Sequence, residues 1–199
     1  MVHRLLVIIN GREVLTVPDT KILDAADFKR TINRLAHEVV EKNTGAESLA
    51  IVGIRTRGDY IARRLLAKVK EIEARDVPLG TLDITLYRDD LRGRLDQPKL
   101  QSTDILFDIA GKTLVLVDDV LFTGRTIRSA LNGLMDLGRP KAIQLLVLID
   151  RGHRELPIKA DYVGKNIPTG QDQEIKVKME EVDGEDAVLL IGPGKGESA

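Results

Sequence analysis

The residues with the clearest capacity for chemistry lie in the stretch TLVLVDDVLFTGRTIRSA, residues 113–130. The apolar run 114–117 predicts a buried strand of a parallel sheet, and Asp118 and Asp119 follow at its carboxyl end, where open α/β sheets bind ligands. Residues 123–126 then lead into a predicted helix, whose first N–H groups favour an anion. Phosphate suits this turn and carboxylates suit sugar hydroxyls. The stretch therefore predicts a site for a phosphorylated sugar.

A second stretch, GIRTRG at 53–58, lies between a predicted strand and a predicted helix. Arg57 offers a planar donor fork for phosphate oxygens, Thr56 adds a hydroxyl, and the two glycines permit unusual backbone angles. Each pattern also has a simpler interpretation when it stands alone. An Asp-Asp pair is often a helix cap or a solvated edge, and GIRTRG resembles an ordinary βα turn with solvated arginines. Their shared position after sheet strands favours one common site.

Two further polar stretches complete the set of candidate loops. ITLYRDDL at 84–91 opens a charged segment, 87–103, that lacks periodicity and predicts a long loop. DRGHRELPIKADYVGKNIPT at 150–169 begins where another apolar run ends. Both stretches therefore stand beside the predicted strand ends.

The elements that must position these loops alternate between helices and strands. Helices are predicted over 24–43 and 59–74, and a third from about Ile127; strands are predicted over 48–53, 80–86, 142–150, 175–179 and 187–191, with the last two paired. This order predicts an α/β fold with a mainly parallel sheet. Asn10-Gly11 between two apolar runs predicts a β-hairpin over 4–17.

Composition narrows the class of protein. The chain has 199 residues, a formal net charge of −1, no cysteine and 3% aromatic residues. The length predicts one domain, followed by a loose tail at 192–199. The charge and composition disfavour disulfides, thiolate catalysis, a global pull toward nucleic acid and a broad base-stacking surface. The only early apolar run is too short for a membrane span, so we expect a cytoplasmic protein with no membrane partner.

The motif VDDVLFTGRT resembles the phosphoribosyl pyrophosphate (PRPP) motif of type I phosphoribosyltransferases, in the form typical of the PyrR family. GIRTRG, ITLYRDDL and the stretch 150–169 are similar to the same family. The resemblance begins at about Lys21, which implies a phosphoribosyltransferase domain at 21–191 after an extension at 1–20. It implies a twisted parallel sheet flanked by helices, with a mobile active-site loop and a small base-binding hood. It implies that uracil and PRPP form UMP and diphosphate, with Mg²⁺ as cofactor, and that the protein forms a homodimer or a higher homo-oligomer.

The resemblance also implies roles for individual residues. Asp118, Asp119 and Arg88 are the expected catalytic residues, with Mg²⁺ reaching the acidic pair through PRPP rather than through a protein ligand set. Lys165, Asn166 and Ile167 are the expected base pocket, where backbone groups read the uracil edge. Tyr162 and Phe122 are further candidates for ring contacts, although buried packing is the simpler interpretation for each. The expected PRPP contacts are Thr56, Arg57, Asp118, Asp119, Val120, Leu121, Phe122, Thr123, Gly124, Arg125, Thr126 and Arg151.

PyrR proteins also bind pyrimidine operon leader RNA in response to uridine nucleotides such as UMP and UTP. Arg30, Arg34 and His37 recur at helical spacing and are the candidate RNA surface, with Arg151 and Arg154 beside them. A solvated helix face is the simpler interpretation, because Glu38 and Glu41 interrupt the basic residues.

Three functions remain open from the sequence. The first is an enzyme and RNA regulator of the PyrR type. The second is a phosphoribosyltransferase for another base without RNA binding, and the third is a regulator that senses PRPP or nucleotides with little catalysis. A P-loop is excluded because Leu106 stands where its first glycine is needed, and the three histidines have no metal-ligand spacing.

Overall fold

The computed structural model describes residues 5–9, 12–16, 19–85 and 103–192. Their contacts divide the chain into two compact units, Arg30–Ile167 and a smaller unit that joins Met1–Lys29 with Pro168–Ala199. The predicted boundaries at residues 20 and 192 remain predictions. The predicted long loop falls almost entirely on residues 86–102, outside the described part of the chain.

The larger unit is built on a five-stranded parallel sheet. In chain order it contains most of α1 (Ala25–Lys42), then β4 (Leu49–Ile54), α2 (Arg57–Glu73), β5 (Leu79–Leu82), β6 (Thr113–Leu121), α3 (Arg125–Leu137), β7 (Ala142–Asp150) and β8 (Tyr162–Asn166). The strand order is β5-β4-β6-β7-β8, and every neighbouring pair is parallel. These pairings confirm the predicted α/β fold with a parallel sheet. Apolar runs such as 114–117 are buried, as expected for strands that helices cover on both faces.

The smaller unit is antiparallel. It holds β1 (Leu5–Ile9), β2 (Arg12–Thr16), β3 (Thr20–Leu23), β9 (Glu174–Lys178), the short helix α4 (Glu180–Asp183) and β10 (Ala187–Ile191). β1 pairs with β2, and β10 lies between β3 and β9. The predicted pairing of the last two strands is confirmed by the register of Val188 opposite Val177. β3, β8 and α4 were not predicted from the sequence.

Helix faces follow the predicted periodicity. Ile32, Leu35 and Val39 of α1 are at most 3% exposed, and the apolar faces of α2 and α3 are equally buried. Val52, Leu116, Ile127 and Leu134 belong to one hydrophobic cluster of the larger unit. Among the described residues, no helix is long and apolar enough to cross a membrane.

The predicted strand 80–86 is shorter in the structure and ends at Leu82. The Asp83 carboxylate accepts hydrogen bonds from the backbone N–H and the hydroxyl of Thr85, at 2.9 and 2.6 Å. This side-chain turn competes with the ladder and ends the strand. Thr81 instead forms an antiparallel bridge with Asp104.

Candidate active site

The predicted loops meet because the strands they follow are parallel. β4, β6, β7 and β8 all end at one edge of the sheet, which we call the carboxyl edge. GIRTRG follows β4, residues 122–124 follow β6, Arg151 follows β7, and Lys165 and Asn166 end β8. Ligands of open α/β sheets bind at this edge.

The turn between β6 and α3 is shaped for an anion. Gly124 caps α3 with a φ of 92°, a left-handed conformation that favours glycine. The first bond of the helix runs from the N–H of Arg128 to the Gly124 carbonyl, at 2.9 Å. The N–H groups of the preceding turn therefore point out of the helix end. Arg125 N–H makes one long contact, 3.4 Å, with the Thr123 hydroxyl.

The acidic pair lies inside β6, near its carboxyl end, rather than after it, because the strand continues to Leu121. Asp118 is 6% exposed, and its Oδ1 accepts the N–H of Asp119 at 3.0 Å. Burial raises the pKa of Asp119 above its ordinary value, although the Val120 N–H and the positive charge of Arg57 act in the opposite direction. Two carboxylates with one held back from ionisation form a site that gains from a cation or from hydroxyl donors.

GIRTRG is packed directly against the acidic strand. A Cβ on Gly58 would lie 2.5 Å from the carbonyl oxygen of Val117 and 3.2 Å from Cα of Asp118. A Cβ on Gly53 would lie 2.5 Å from Cα of Asp59. Neither glycine has a positive φ, so the expectation of unusual backbone angles was wrong. Both glycines are needed for close backbone approach. The Arg55–Thr56 peptide bond in this loop is cis.

Asp59 is a residue that the sequence analysis missed. It is 9% exposed at the start of α2, where its Oδ1 accepts the Thr81 hydroxyl at 2.9 Å and pairs with Arg63 at 3.2 Å. The carboxylate therefore ties the end of GIRTRG to β5. An acidic residue in the first turn of a helix is common on surfaces as well, so the sequence carries no signal for this burial.

Arg151 and Phe122 form a stacked pair. Arg151 is 7% exposed, and its guanidinium carbon lies 4.0 Å from the centre of the half-buried Phe122 ring. The ring of His153 meets the same phenyl edge-on, with centroids 6.0 Å apart. The cation of Arg151 is thereby held at the carboxyl edge by the aromatic face.

Arg154 is turned into the protein. Its guanidinium donates to the carbonyls of Phe122 and Ile158, at 2.8 and 3.0 Å, and pairs with the Asp150 carboxylate. The sequence grouped Arg151 and Arg154 with an exposed RNA surface. The structure gives both side chains partners within the protein, and their assignment to RNA stays a prediction.

The three residues of the expected base pocket differ in their exposure. Lys165 and Asn166 are exposed at the end of β8, whereas Ile167 is 7% exposed. The Ile167 N–H already donates to the Asp150 carbonyl at 2.8 Å, so this group is occupied within the protein. The predicted hydrogen bonds from the backbone to uracil therefore depend on the other N–H and carbonyl groups of these three residues.

Tyr162 does not lie at the carboxyl edge, and its buried packing is the simpler of the two roles that the sequence offered. It begins β8 and is 3% exposed. Its hydroxyl donates to Gln144 at 2.7 Å and accepts from the Asn43 amide at 3.0 Å. Burial raises the pKa of Tyr162 to about 12. Tyr162 lies at the start of β8, across β7 from Val117, and its hydroxyl joins β7 and β8 to the residue that follows α1.

The candidate RNA residues Arg30, Arg34 and His37 are exposed along α1. Arg34 also has internal partners: it pairs with Glu38 and donates to the Val163 and Gly164 carbonyls, at 3.2 and 2.6 Å. Arg34 therefore connects this surface with β8.

No group of three acidic or histidine side chains that could hold a metal occurs in the described ranges. Asp118 and Asp119 offer only part of a coordination shell, which fits a cation that a ligand brings with it. The remaining expected catalytic residue, Arg88, lies outside the described residues.

Comparison with known proteins agrees with this geometry. The family model described as phosphoribosyl transferase domain matches residues 19–183. A protein of Pelotomaculum thermopropionicum named Bifunctional protein PyrR is 56% identical over 171 residues, covering 86% of this chain and 94% of the relative. The Elusimicrobium minutum protein of the same name is 59% identical over 170 residues, covering 85% and 95%.

A solved structure supports the fold. The hypoxanthine phosphoribosyltransferase of Staphylococcus aureus has a TM-score of 0.65 at 18% identity, covering 88% of this chain and 93% of that chain. The parallel sheet, the acidic strand end and the anion-binding turn define the class of type I phosphoribosyltransferases. Within that class, the chain belongs to the PyrR family.

Proposed function

We propose that the protein transfers the phosphoribosyl group of PRPP to uracil, giving UMP and diphosphate. The observation that carries the proposal is the meeting of three features at one edge: the acidic pair of β6, the open end of α3, and GIRTRG packed on Val117. The 5′-phosphate is assigned to the turn 123–126, the ribose hydroxyls to Asp118 and Asp119, and the diphosphate to Thr56 and Arg57.

In this reaction the bond from C1′ to the diphosphate oxygen breaks, and its electrons leave with the diphosphate. Uracil N1 bonds to C1′ and gives up its proton. The sugar carries positive charge during the exchange, as in other glycosyl transfers. Asp118 and Asp119 support that charge, while Arg57 and Arg151 stabilise the departing anion. Positioning supplies much of the rate, because the two reactants are held together.

Mg²⁺ fits the donor set of the acidic pair only together with oxygens of PRPP. When bound, it neutralises charge on the diphosphate. Lys165, Asn166 and Ile167 orient the base at the end of β8, where two exposed polar residues close the strand. Arg88, through the family resemblance, is assigned to the leaving group.

The decisive experiment measures diphosphate release from PRPP with uracil, orotate, hypoxanthine and guanine side by side. Release with uracil alone supports the proposal. Release with another base instead identifies the second function that the sequence left open. Nucleotide binding with no release for any base identifies a sensing regulator.

The acidic pair gives the matched variant. Asp118→Asn with Asp119→Asn keeps the size of both side chains and removes their charge. We expect turnover to fall by several orders of magnitude, on the scale reported for removal of groups that stabilise developing charge. An unchanged circular dichroism spectrum would show that the variant keeps its secondary structure. Near-normal UMP formation by this variant would contradict the assignment.

We further propose that the exposed residues Arg30, Arg34 and His37 bind pyrimidine operon leader RNA when a uridine nucleotide is present. Membership in a family of proteins named bifunctional supports this second role, as does the exposure of all three side chains. A homodimer would double the surface and raise the avidity for RNA.

The RNA test uses Arg30→Ala with His37→Ala, because Arg34 has partners in β8 whose loss would disturb the sheet. We expect weaker binding of the leader in the presence of UMP and a smaller dependence of affinity on salt. Lys29→Ala removes a charge from another face of the same helix and serves as the control. Equal binding of leader and scrambled RNA by the unmodified protein argues against the regulatory role.

A further inference from the structure

The turn between β6 and α3 is held from behind by the segment that follows β7. The Leu121 carbonyl accepts the N–H of Arg151 at 3.1 Å. The Thr123 carbonyl accepts the N–H groups of Glu155 and Leu156, at 3.0 and 3.2 Å. The Phe122 carbonyl accepts Nη1 of Arg154 at 2.8 Å. Three consecutive carbonyls of the turn thus point toward one segment.

These contacts fix the direction of the N–H groups. The peptide bonds of the turn are trans, and in a planar trans peptide the N–H points opposite to the preceding carbonyl. The N–H groups of Phe122, Thr123 and Gly124 therefore point away from the segment that holds the carbonyls. Successive N–H groups aimed at one side form an anion-binding concavity.

Arg154 has a special place among these contacts. It donates to the Phe122 carbonyl, which is the central one of the three. The same guanidinium reaches the Leu121 and Gly152 carbonyls, at 3.3 and 3.1 Å. Its Nε donates to Ile158 at 3.0 Å, and Asp150 pairs with its Nη2.

The planar shape of the guanidinium explains why arginine is suited to this position. Five donors in a rigid fork reach acceptors in several directions at once, which a lysine ammonium on a flexible stem does not do. Ile158, whose carbonyl binds Nε, also lies against the turn: a Cβ on Gly124 would be 3.3 Å from its Cδ1. Arg154 therefore joins the backbone of the turn to the residues that cover it.

We infer that Arg154 is a positioning residue for the phosphate-binding turn, which it holds with its N–H groups facing the 5′-phosphate of the ligand. It acts through the Phe122 and Leu121 carbonyls and does not touch the ligand. The inference rests on the proposed function, because that function assigns the 5′-phosphate to this turn.

The test compares binding of UMP and uridine, which differ only in the 5′-phosphate. The variants are Arg154→Lys, which keeps the charge, and Arg154→Gln, which keeps fewer donors. We expect the preference for UMP over uridine to fall about tenfold, on the scale of one lost charge-assisted hydrogen bond. We also expect the KM for PRPP to rise about tenfold, with little change in the KM for uracil.

Arg75→Gln is the control, since its exposed ion pair with Glu47 spans 3.5 Å and lies outside the proposed site. Equal losses of UMP and uridine affinity, or an unchanged preference, overturn the inference and leave Arg154 a structural residue. If the glutamine variant does not fold, the lysine variant decides.

Asp150→Asn, which keeps an oxygen acceptor, should give a smaller fall in the same preference. Unmodified protein that makes no UMP would count against the proposed function instead. The affinity ratio is measured by calorimetry without turnover, so the two failures are distinguishable.

Discussion

At the scale of single residues, Asp119 links the proposed chemistry to stability. The proposed function uses its carboxyl in the charged form for ribose and cation binding, yet burial raises its pKa in the ligand-free protein. The native state then holds a proton that the unfolded chain releases near its ordinary pKa of about 3.9. Stability is therefore lost as pH rises from that value through the native pKa.

We expect Asp119→Asn to raise the melting temperature of the ligand-free protein at neutral pH, while PRPP binding is weakened. The gain should shrink as the pH falls toward about 4, where the carboxyl of the unmodified protein is protonated in both states. Thermal unfolding followed across this range checks the sign. Asp76→Asn, at a carboxyl that is 87% exposed, is the control. A neutral-pH melting temperature below that of the unmodified protein would contradict the prediction.

At the scale of elements, GIRTRG depends on close packing of backbone against backbone. Gly58→Ala places a methyl group 2.5 Å from the Val117 carbonyl oxygen, so β6 or α2 must shift. We expect a loss of about 1–3 kcal/mol in unfolding free energy, as for overpacked cores, together with a higher KM for PRPP. Urea unfolding and steady-state kinetics measure the two effects.

Gly111→Ala separates these effects. Gly111 has a φ of 70° and nothing within 4 Å of an added Cβ, so its substitution strains the backbone without crowding the site. Stability should fall while the KM for PRPP stays unchanged. Equal KM values in both glycine variants would argue against the assignment of GIRTRG to PRPP.

Tyr162, at the start of β8, ties β7 and β8 to Asn43, the residue that follows α1, through its hydroxyl. Tyr162→Phe removes the hydroxyl from the Gln144 and Asn43 network and should cost about 1–2 kcal/mol of stability. We expect kcat to be unchanged.

Because burial raises the pKa of Tyr162 to about 12, the native state keeps its proton as the unfolded chain ionises near about pH 10. The stability of the unmodified protein then falls with rising pH, so the penalty of the substitution should shrink. Urea unfolding near pH 8 and near pH 11 checks this; a constant penalty would contradict it.

At the scale of the whole molecule, every described residue assigned to PRPP or to the base lies in the unit Arg30–Ile167. Binding to the native state stabilises the part that it contacts, by about 2.7 kcal/mol at a ligand concentration of 100 Kd. We expect Mg²⁺ with PRPP to slow hydrogen exchange in peptides from 53–58 and 118–126. Peptides from 174–191 in the smaller unit serve as the internal reference. Uniform slowing over both sets would contradict the assignment.

Net charge also acts at this scale. A formal charge of −1 supplies no general attraction for RNA, so any affinity depends on a local surface such as that of α1. The Arg34 contacts link this surface to β8, the strand that ends in the proposed base-binding residues.

Hydrophobic periodicity and sequence motifs were enough to predict most of the helices and strands of the larger unit. The apolar run before Asp118 and the spacing in α1 follow from burial, which depends on local pattern. The strands β3 and β8 were missed because their residues alternate weakly, and their pairing depends on neighbours distant in the chain. The end of β5 was misplaced because the turn at Asp83 competes with the ladder only when the chain is folded.

The sequence by itself determined the class of site: two carboxylates at a strand end, then a glycine and hydroxyl turn opening a helix, predict sugar-phosphate binding through residue chemistry alone. Only the tertiary structure decided what holds that site in place. It turned Arg154 and Arg151 inward, buried Asp59 against β5, and placed Tyr162 at the buried start of β8. These outcomes depend on contacts between distant segments, and the burial of a polar side chain is decided by the partner that satisfies it.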